Sequence, residues 1–563
     1  MTKASASSWY RRRWFRWTAG GILVVLLALV VVSYFVARHA EPFLRDRIVA
    51  ALENHFHAHV ELDSFHISFV KGIRAEGDGL RIWPPGNDDT MPAGSGPPLI
   101  RLDKFRFRAP LAFQLKKPIH ISMVQLQGLE VDLPPRSHFL HAASSANNPG
   151  NGVSTLVSFT IGKVECTSAH LVLETSVPGK LPMEIAIARF QLTGGGGDFI
   201  DPASPMNFSA DLTNPRPFGF VHTEGTLGPW QVSDPGESPL QGSYTFDHAD
   251  LASFNGIAGI LSSTGKYQGT LRNLTVDGDT DTPDFRLTHF GNALPLHTHF
   301  HALVDGTNGD TQLDPVDATL GHSHFTCKGK VVRVLDPTSP PDRPASKGHD
   351  IAIDVNVDNG RIEDFLRLAS RSPAQLLTGA VTVRTLLHIP PGTEPVHRRL
   401  SLKGSFQLDQ ARFTSTKIQD KITELSLRGQ GLPHAIKSTD PATTRSTMQA
   451  DFRMDRGVIT LPSLTYTVPG AEIDLKGAYV MEGGLIDFQG AAKLDATVSK
   501  MVGGVLGVLL KPADRYFKKD GAGTEVPIHV SGTREDPEFG VDFGRKRNKP
   551  QTAPLTAPQT DNP

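Results

Sequence analysis

Two cysteines, Cys166 and Cys327, are all that 563 residues contain. They permit at most one internal disulfide, which excludes a disulfide-stapled scaffold. Whether they pair is left open by the sequence. Charge of one sign is also missing, with 57 Lys and Arg against 58 Asp and Glu. The near-balance excludes the concentrated basic surface that counterion release requires of a nucleic-acid binder. Catalytic signatures are absent as well. No Gly-x-Ser-x-Gly elbow occurs, so an esterase of that type is excluded. The stretch "GILSSTGKY" resembles a phosphate-binding loop, but its glycines Gly259 and Gly265 are spaced wrongly. Tyr267 also stands where a Ser or Thr would hold magnesium. No cofactor is expected, and the chain does not read as an enzyme.

Long hydrophobic runs are missing too, with one exception. From Trp17 to Ala37, "WTAGGILVVLLALVVVSYFVA" runs for 21 residues without a charge. A helix of that length measures about 31 Å, enough to cross a hydrocarbon core. A cleavable signal peptide would carry a shorter apolar region and a small-x-small cut site. Here Arg38 occupies the −3 position of the obvious cut after Ala40. The segment therefore reads as an uncleaved anchor. Residues 1–16 contain Lys3, Arg11, Arg12, Arg13 and Arg16 and no acid, so the positive-inside rule leaves the N-terminus cytoplasmic. In a bacterium the bulk of the chain is then expected in the periplasm, held at the inner membrane.

Gly and Pro, at 53 and 42 residues, point to many short elements separated by turns. Residues 40–57 read as an amphipathic helix with Leu44, Ile48, Leu52 and Phe56 on one stripe. From Val60 the hydrophobic period changes to two, the mark of strands with one buried and one wet face. It is seen in "VELDSFHISF", "KFRFRAPLAFQL" and "IHISMVQLQGLEVDL", and it continues nearly to the end. Only a few segments look helical within it, such as "RIEDFLRLASR" and "STKIQDKITELS". A Gly-x-aromatic echo recurs at Gly242–Tyr244, Gly265–Tyr267, Gly404–Phe406 and Gly477–Tyr479 without a fixed period. "MVGGVLGVLL", residues 501–510, is too short to span a bilayer and suits either a lid or a buried segment. The tail 546–563 has almost nothing to bury and reads as disordered.

Three features together, the basic start with its anchor, the amphipathic helix and "AHVELDSFHISF…GDGLRI", resemble the beginning of bacterial AsmA-family proteins. "GAEIDLKGAYVMEGGLIDFQGAAKLDATVSKMVGGVLGVLLKP", followed by "TEVPIHVSGTREDPEFGVDF", is similar to that family's C-terminal region. The likeness lies in the order of parts and covers nearly all of the exported chain. It implies a mainly β fold: a long, twisted antiparallel sheet forming an open groove with an apolar inner face. It implies phospholipid as the partner, together with the inner membrane and other envelope proteins, and a part in lipid movement or outer-membrane integrity. The expected organisation is a β-rich groove domain at 58–395 and a C-terminal β region at 396–545. Moving a two-chain lipid through water exposes methylenes at about 0.8 kcal/mol each, on the order of 20 kcal/mol in all. A passive carrier must replace that burial with its own apolar surface. Alternation near the start of the sheet nominates Phe65, Ile67, Phe69, Leu80, Ile82, Phe105 and Phe107 as groove-lining residues.

Two rival readings stand beside this one. An envelope scaffold would bind proteins or glycans through a β-surface and need no continuous apolar face. A metal-dependent exported hydrolase would use His297, His299 and His301 in "PLHTHFHALVDG", which share one strand face. The residues after them, Ala302 and Leu303, break the metallo-hydrolase pattern His-x-His-x-Asp-His, so no metal site is expected.

Overall fold

The computed structural model describes residues 59–68, 73–83, 98–109, 119–133, 159–175, 177–196, 199–231, 234–288, 291–340, 345–369, 377–437, 444–502, 511–517, 523–533 and 536–541. Added to these are six helical residues between 45 and 53 and the single positions 440 and 509. The expected anchor at 17–37, most of the amphipathic helix, Phe69, the centre of 501–510 and the tail lie outside the described residues. Among the described residues no helix is long and apolar enough to cross a membrane.

The described chain is mainly β, with twenty-four strands and a few short helices. It divides into two compact units. The first takes the described residues up to 176, together with Met183–Leu212 and Glu224–Pro239. The second takes Val177–Pro182, Thr213–Thr223 and the described residues from Leu240 onward.

In the first unit β1 (Val60–Ser68), β2 (Ile73–Ile82), β3 (Ile100–Ala109) and β4 (Ile119–Leu133) form an antiparallel meander. The next pairing departs from the all-antiparallel expectation, because β5 (Phe159–Leu173) runs parallel to β4. Residues 134–158 separate the two strands, long enough for the crossover that parallel neighbours need. The antiparallel pattern resumes with β6 (Met183–Gly194). Next in the chain come β7 (Met206–Pro215) and β8 (Phe218–Leu227), both divided between the units.

The second unit holds β9 (Pro239–Asp250) from Leu240 on, the two-residue β10 (Ile257–Ala258), then β11 (Ile260–Thr270), β12 (Asn273–Leu287), β13 (Leu294–Val304), β14 (Thr311–Leu320), β15 (Ser323–Leu335) and β16 (Ser346–Arg361). It continues through β17 (Leu377–Ile389), β18 (Ser401–Phe413), β19 (Thr447–Asp455), β20 (Val458–Val468), β21 (Ala471–Val480), β22 (Leu485–Leu494), β23 (Thr524–Thr533) and β24 (Pro537–Val541). From β11 to β24 each strand pairs antiparallel with the next. Short helices sit in the connections: α1 (Ile362–Leu368), α2 (Val396–Arg399), α3 (Thr416–Gly429), α4 (Val498–Val502) and α5 (Asp514–Phe517). Ile362 and Phe365 of α1 and Ile422 and Leu425 of α3 pack on a buried cluster that includes Val381, Leu408, Tyr466 and Leu494. Both helices match the two segments whose apolar spacing reads as helical.

Candidate functional site

Register, not strand identity alone, decides which side chains share a face. In the first unit Phe65 faces Gly77, Gly77 faces Phe105, Phe105 faces Leu126, Leu126 faces Cys166, and Cys166 faces Phe190. A second row runs Ile67, Ala75, Phe107, Val124, Val164, Leu192. Nearer the other strand ends, Val60, Ile82, Ile100, Val131, Leu171 and Ile185 line up in the same way. Directly opposed side chains point to the same face of a sheet, so six strands offer one continuous apolar surface.

The rows fall on one face because the two-residue alternation is interrupted along a single line. Gly79 in β2 (φ +68), Gly128 in β4 (φ +68) and Ser168 in β5 (φ +57) adopt left-handed backbone there. At Gly79 a Cβ would run into the Asp63 side chain, and at Gly128 into that of Asp103. Only glycine meets both the conformation and the crowding. Leu126 and Leu129, three residues apart, therefore share the apolar face, Leu126 opposite Phe105 and Leu129 opposite Leu102. The opposite face carries cross-strand ion pairs. Arg106 bonds Glu76 at 2.8 Å, Arg81 bonds Asp63 at 2.8 Å, and Arg101 lies 3.7 Å from Glu130.

The nominated residues separate into two groups. Phe65 (5 % exposed) and Ile82 (4 %) are buried. Phe65 belongs to a core with Leu62 and Ala75, over which Val49, Ile67, Leu80, Phe105 and Phe107 pack. The ring centroids of Phe65 and Phe105 are 6.4 Å apart, and those of Phe105 and Phe107 6.3 Å. This end of the face is filled, with Val49 of the helical stretch against it. Ile67, Leu80, Phe105 and Phe107 keep partial exposure. Val124, Leu126, Val164, Leu171 and Leu192 are likewise half-exposed and extend the face past the nominated residues. The same alternation in β4 to β6 marks them, but pairing β5 onto β4 requires the parallel register.

A longer row crosses the second unit. Ala318, Phe325, Val357, Val383, Phe406, Ala450, Leu464, Leu475, Gly490, Ile528 and Val541 oppose one another in turn from β14 to β24. Gly490 serves the close approach of its neighbour, since a Cβ there would strike the Asp474 carbonyl oxygen. The echoed glycines have a related use. A Cβ at Gly265 would meet the Tyr244 ring at 2.7 Å, and one at Gly477 would meet the Phe488 ring at 2.6 Å. Aromatic rings lie across neighbouring glycines, which keeps the face smooth.

The three histidines stand on the other face of β13, each against its own aspartate on β12. His297 Nδ1 is 2.6 Å from Asp281, His299 Nδ1 2.8 Å from Asp279, and His301 Nδ1 2.6 Å from Asp277. The hydrogen bond that His299 donates to Asp279, reinforced by the charge of Asp279 and by Asp317 and Asp277, holds the His299 imidazole above its ordinary pKa. A shallow hollow of about 410 Å³ lies over the His297 and His299 pairs and extends to Asp317 and His324. Each imidazole is paired separately, and among the described residues no three His, Cys, Asp or Glu side chains come together to hold a metal. Both cysteines are free thiols in apolar rows, and burial pushes each above its ordinary pKa. Such thiols are not activated nucleophiles.

No family model, curated protein or solved structure matches the chain.

Proposed function

We propose that this chain is a membrane-anchored, exported lipid-binding protein of the AsmA type, holding phospholipid acyl chains on the apolar faces of its sheets. The observation that carries the reading is the register: apolar residues stand in line across six strands of one unit and eleven of the other, with Leu126, Leu171, Phe325, Phe406, Leu464 and Leu475 among them partly exposed, and in the first unit the opposite face carries ion pairs. Soluble proteins rarely leave contiguous apolar surface of this extent unpartnered. A polymethylene chain suits it, because methylene burial is worth about 0.8 kcal/mol per group and asks for no directional partner. Headgroups would stay wet at the margins of the face. The sequence resemblance adds the setting: an inner-membrane anchor, the periplasm, and lipid movement between membranes or support of the outer membrane.

The test is mass spectrometry of whatever copurifies with the full-length protein after gentle extraction and gel filtration. Phospholipid near one or more molecules per chain supports the reading. A well-folded protein free of lipid would contradict it and favour the scaffold. The hydrolase reading has less behind it, since the separate His–Asp pairs do not converge on a shared point.

A further inference from the structure

The long apolar row of the second unit changes chemistry at one end. Followed from Ala318 of β14 back to β11, it continues as Thr298, Thr280 and Ser263, three hydroxyls directly opposed. Thr280 and Thr298 are hydrogen-bonded Oγ1 to Oγ1 at 2.7 Å. Tyr244 lies over Gly265, and its hydroxyl reaches Ser263 Oγ at 3.1 Å. A Cβ at Gly278 would stand 2.8 Å from that phenol oxygen and 3.0 Å from the Phe300 ring. Thr282, the next residue on this face of β12, is 1 % exposed, and its hydroxyl has no hydrogen-bond partner. Thr280, Thr298 and Tyr244 remain partly exposed. A hydroxyl patch thus interrupts a face that is apolar through the next eleven strands.

Hydrogen-bond accounting narrows what this patch would take. Ser263 donates to the Asp279 carbonyl oxygen at 2.9 Å, so the Tyr244 hydroxyl must be the donor to Ser263. One of Thr280 and Thr298 donates to the other, which leaves a single O–H between them and unused lone pairs on all these oxygens. Burial pushes the Tyr244 phenol up, opposed by its bond to Ser263 and helped by the Asp279 charge, so it stays neutral. Two free O–H groups, one of them on the buried Thr282, stand among several acceptors with a carboxylate nearby, which suits a neutral hydroxyl better than a phosphate or carboxylate. Resting on the acyl-chain reading above, we infer that Tyr244, Thr280 and Thr298 form a polar subsite for a neutral hydroxyl of an amphiphile, such as a free glycerol hydroxyl, with its chain along the adjoining apolar row.

The probes are a monoacylglycerol and the methyl ester of the same fatty acid, which shares the chain but lacks the hydroxyls. Each competes for the full-length protein, in non-ionic detergent, against a fluorescent fatty-acid analogue. The monoacylglycerol is expected to bind about five- to tenfold more tightly, the scale of one to two neutral hydrogen bonds. Thr280→Val with Thr298→Val, or Tyr244→Phe alone, should shrink that preference toward unity while leaving methyl-ester affinity unchanged. Tyr244→Phe retains the ring over Gly265, so it remains informative if the double variant fails to fold. Binding of both probes without preference, or a preference that survives the substitutions, overturns the subsite and leaves the apolar-face reading intact. Failure of both probes to bind the wild-type protein contradicts the apolar-face reading itself.

Discussion

Leu126 lies near the middle of the first unit's apolar rows, opposite Phe105 on one side and Cys166 on the other. It is half-exposed and stands apart from the packed cluster around Phe65. Leu126→Glu would place a carboxylate where an acyl chain is expected to run. Losing contact with three or four methylenes, at about 0.8 kcal/mol each, weakens binding by roughly 2–3 kcal/mol. That corresponds to a rise in Kd of about 30- to 150-fold. The matched control is Gln127→Glu, one position along the strand on the opposite face, beside Lys104 and Thr167. Both variants add one negative charge to β4, so net charge and solubility change alike. Displacement of a fluorescent fatty-acid analogue, with circular dichroism to confirm folding, measures both. Leu126→Glu should lose binding and Gln127→Glu should keep it. Equal binding in the two variants would refute the assignment of this face.

Three further outcomes follow from the same geometry. Gly490→Ala drives a methyl group into the Asp474 carbonyl oxygen, so it should destabilise the fold by about 1–3 kcal/mol, read as a lower Tm. Asp364, 3 % exposed at the start of α1, accepts from the His322 N–H at 3.0 Å and from the Ser323 hydroxyl at 2.8 Å. Asp364→Ala strands the His322 N–H and leaves the Ser323 hydroxyl only the more distant Arg361 carbonyl at 3.3 Å, so it should reduce denaturant stability by about 1–3 kcal/mol. The raised pKa of His299 gives a pH signature. The stability it contributes is fully present below the ordinary imidazole pKa and is lost as pH rises through the elevated folded value. Tm should therefore fall in that window, and less so in His299→Asn. An unchanged slope in the variant would show that the Asp279 pair does not supply it.

Much of the fold is legible in the sequence because period-two alternation reports directly on which side of a strand is wet. The runs around Phe65, Phe105 and Leu126 read as strands, and the structure places strands there. Likewise the Ile362–Phe365–Leu366 and Ile418–Ile422–Leu425 spacings fall in α1 and α3. What alternation does not carry is register. The parallel β4–β5 pairing and the line of left-handed residues at Gly79, Gly128 and Ser168 depend on which strands meet. Without them Leu126 and Leu129 appear to point opposite ways. The histidines show the same limit. "THFHALVD" reveals three imidazoles on one face, but their partners Asp277, Asp279 and Asp281 come from the preceding strand. Of the nominated residues, Phe65 and Ile82 are as apolar as expected yet buried, because burial depends on what packs above a strand.

The most direct test of the central claim is photo-crosslinking along β4 in living cells. A benzophenone side chain is placed in turn at Val124, Gln125, Leu126, Gln127, Leu129 and Glu130 of the full-length protein, and lipid adducts are read by mass spectrometry. Adducts are expected at Val124, Leu126 and Leu129 and none at Gln125, Gln127 and Glu130, a pattern that skips a residue at Gly128. Adducts on both faces alike, or on neither, would contradict it.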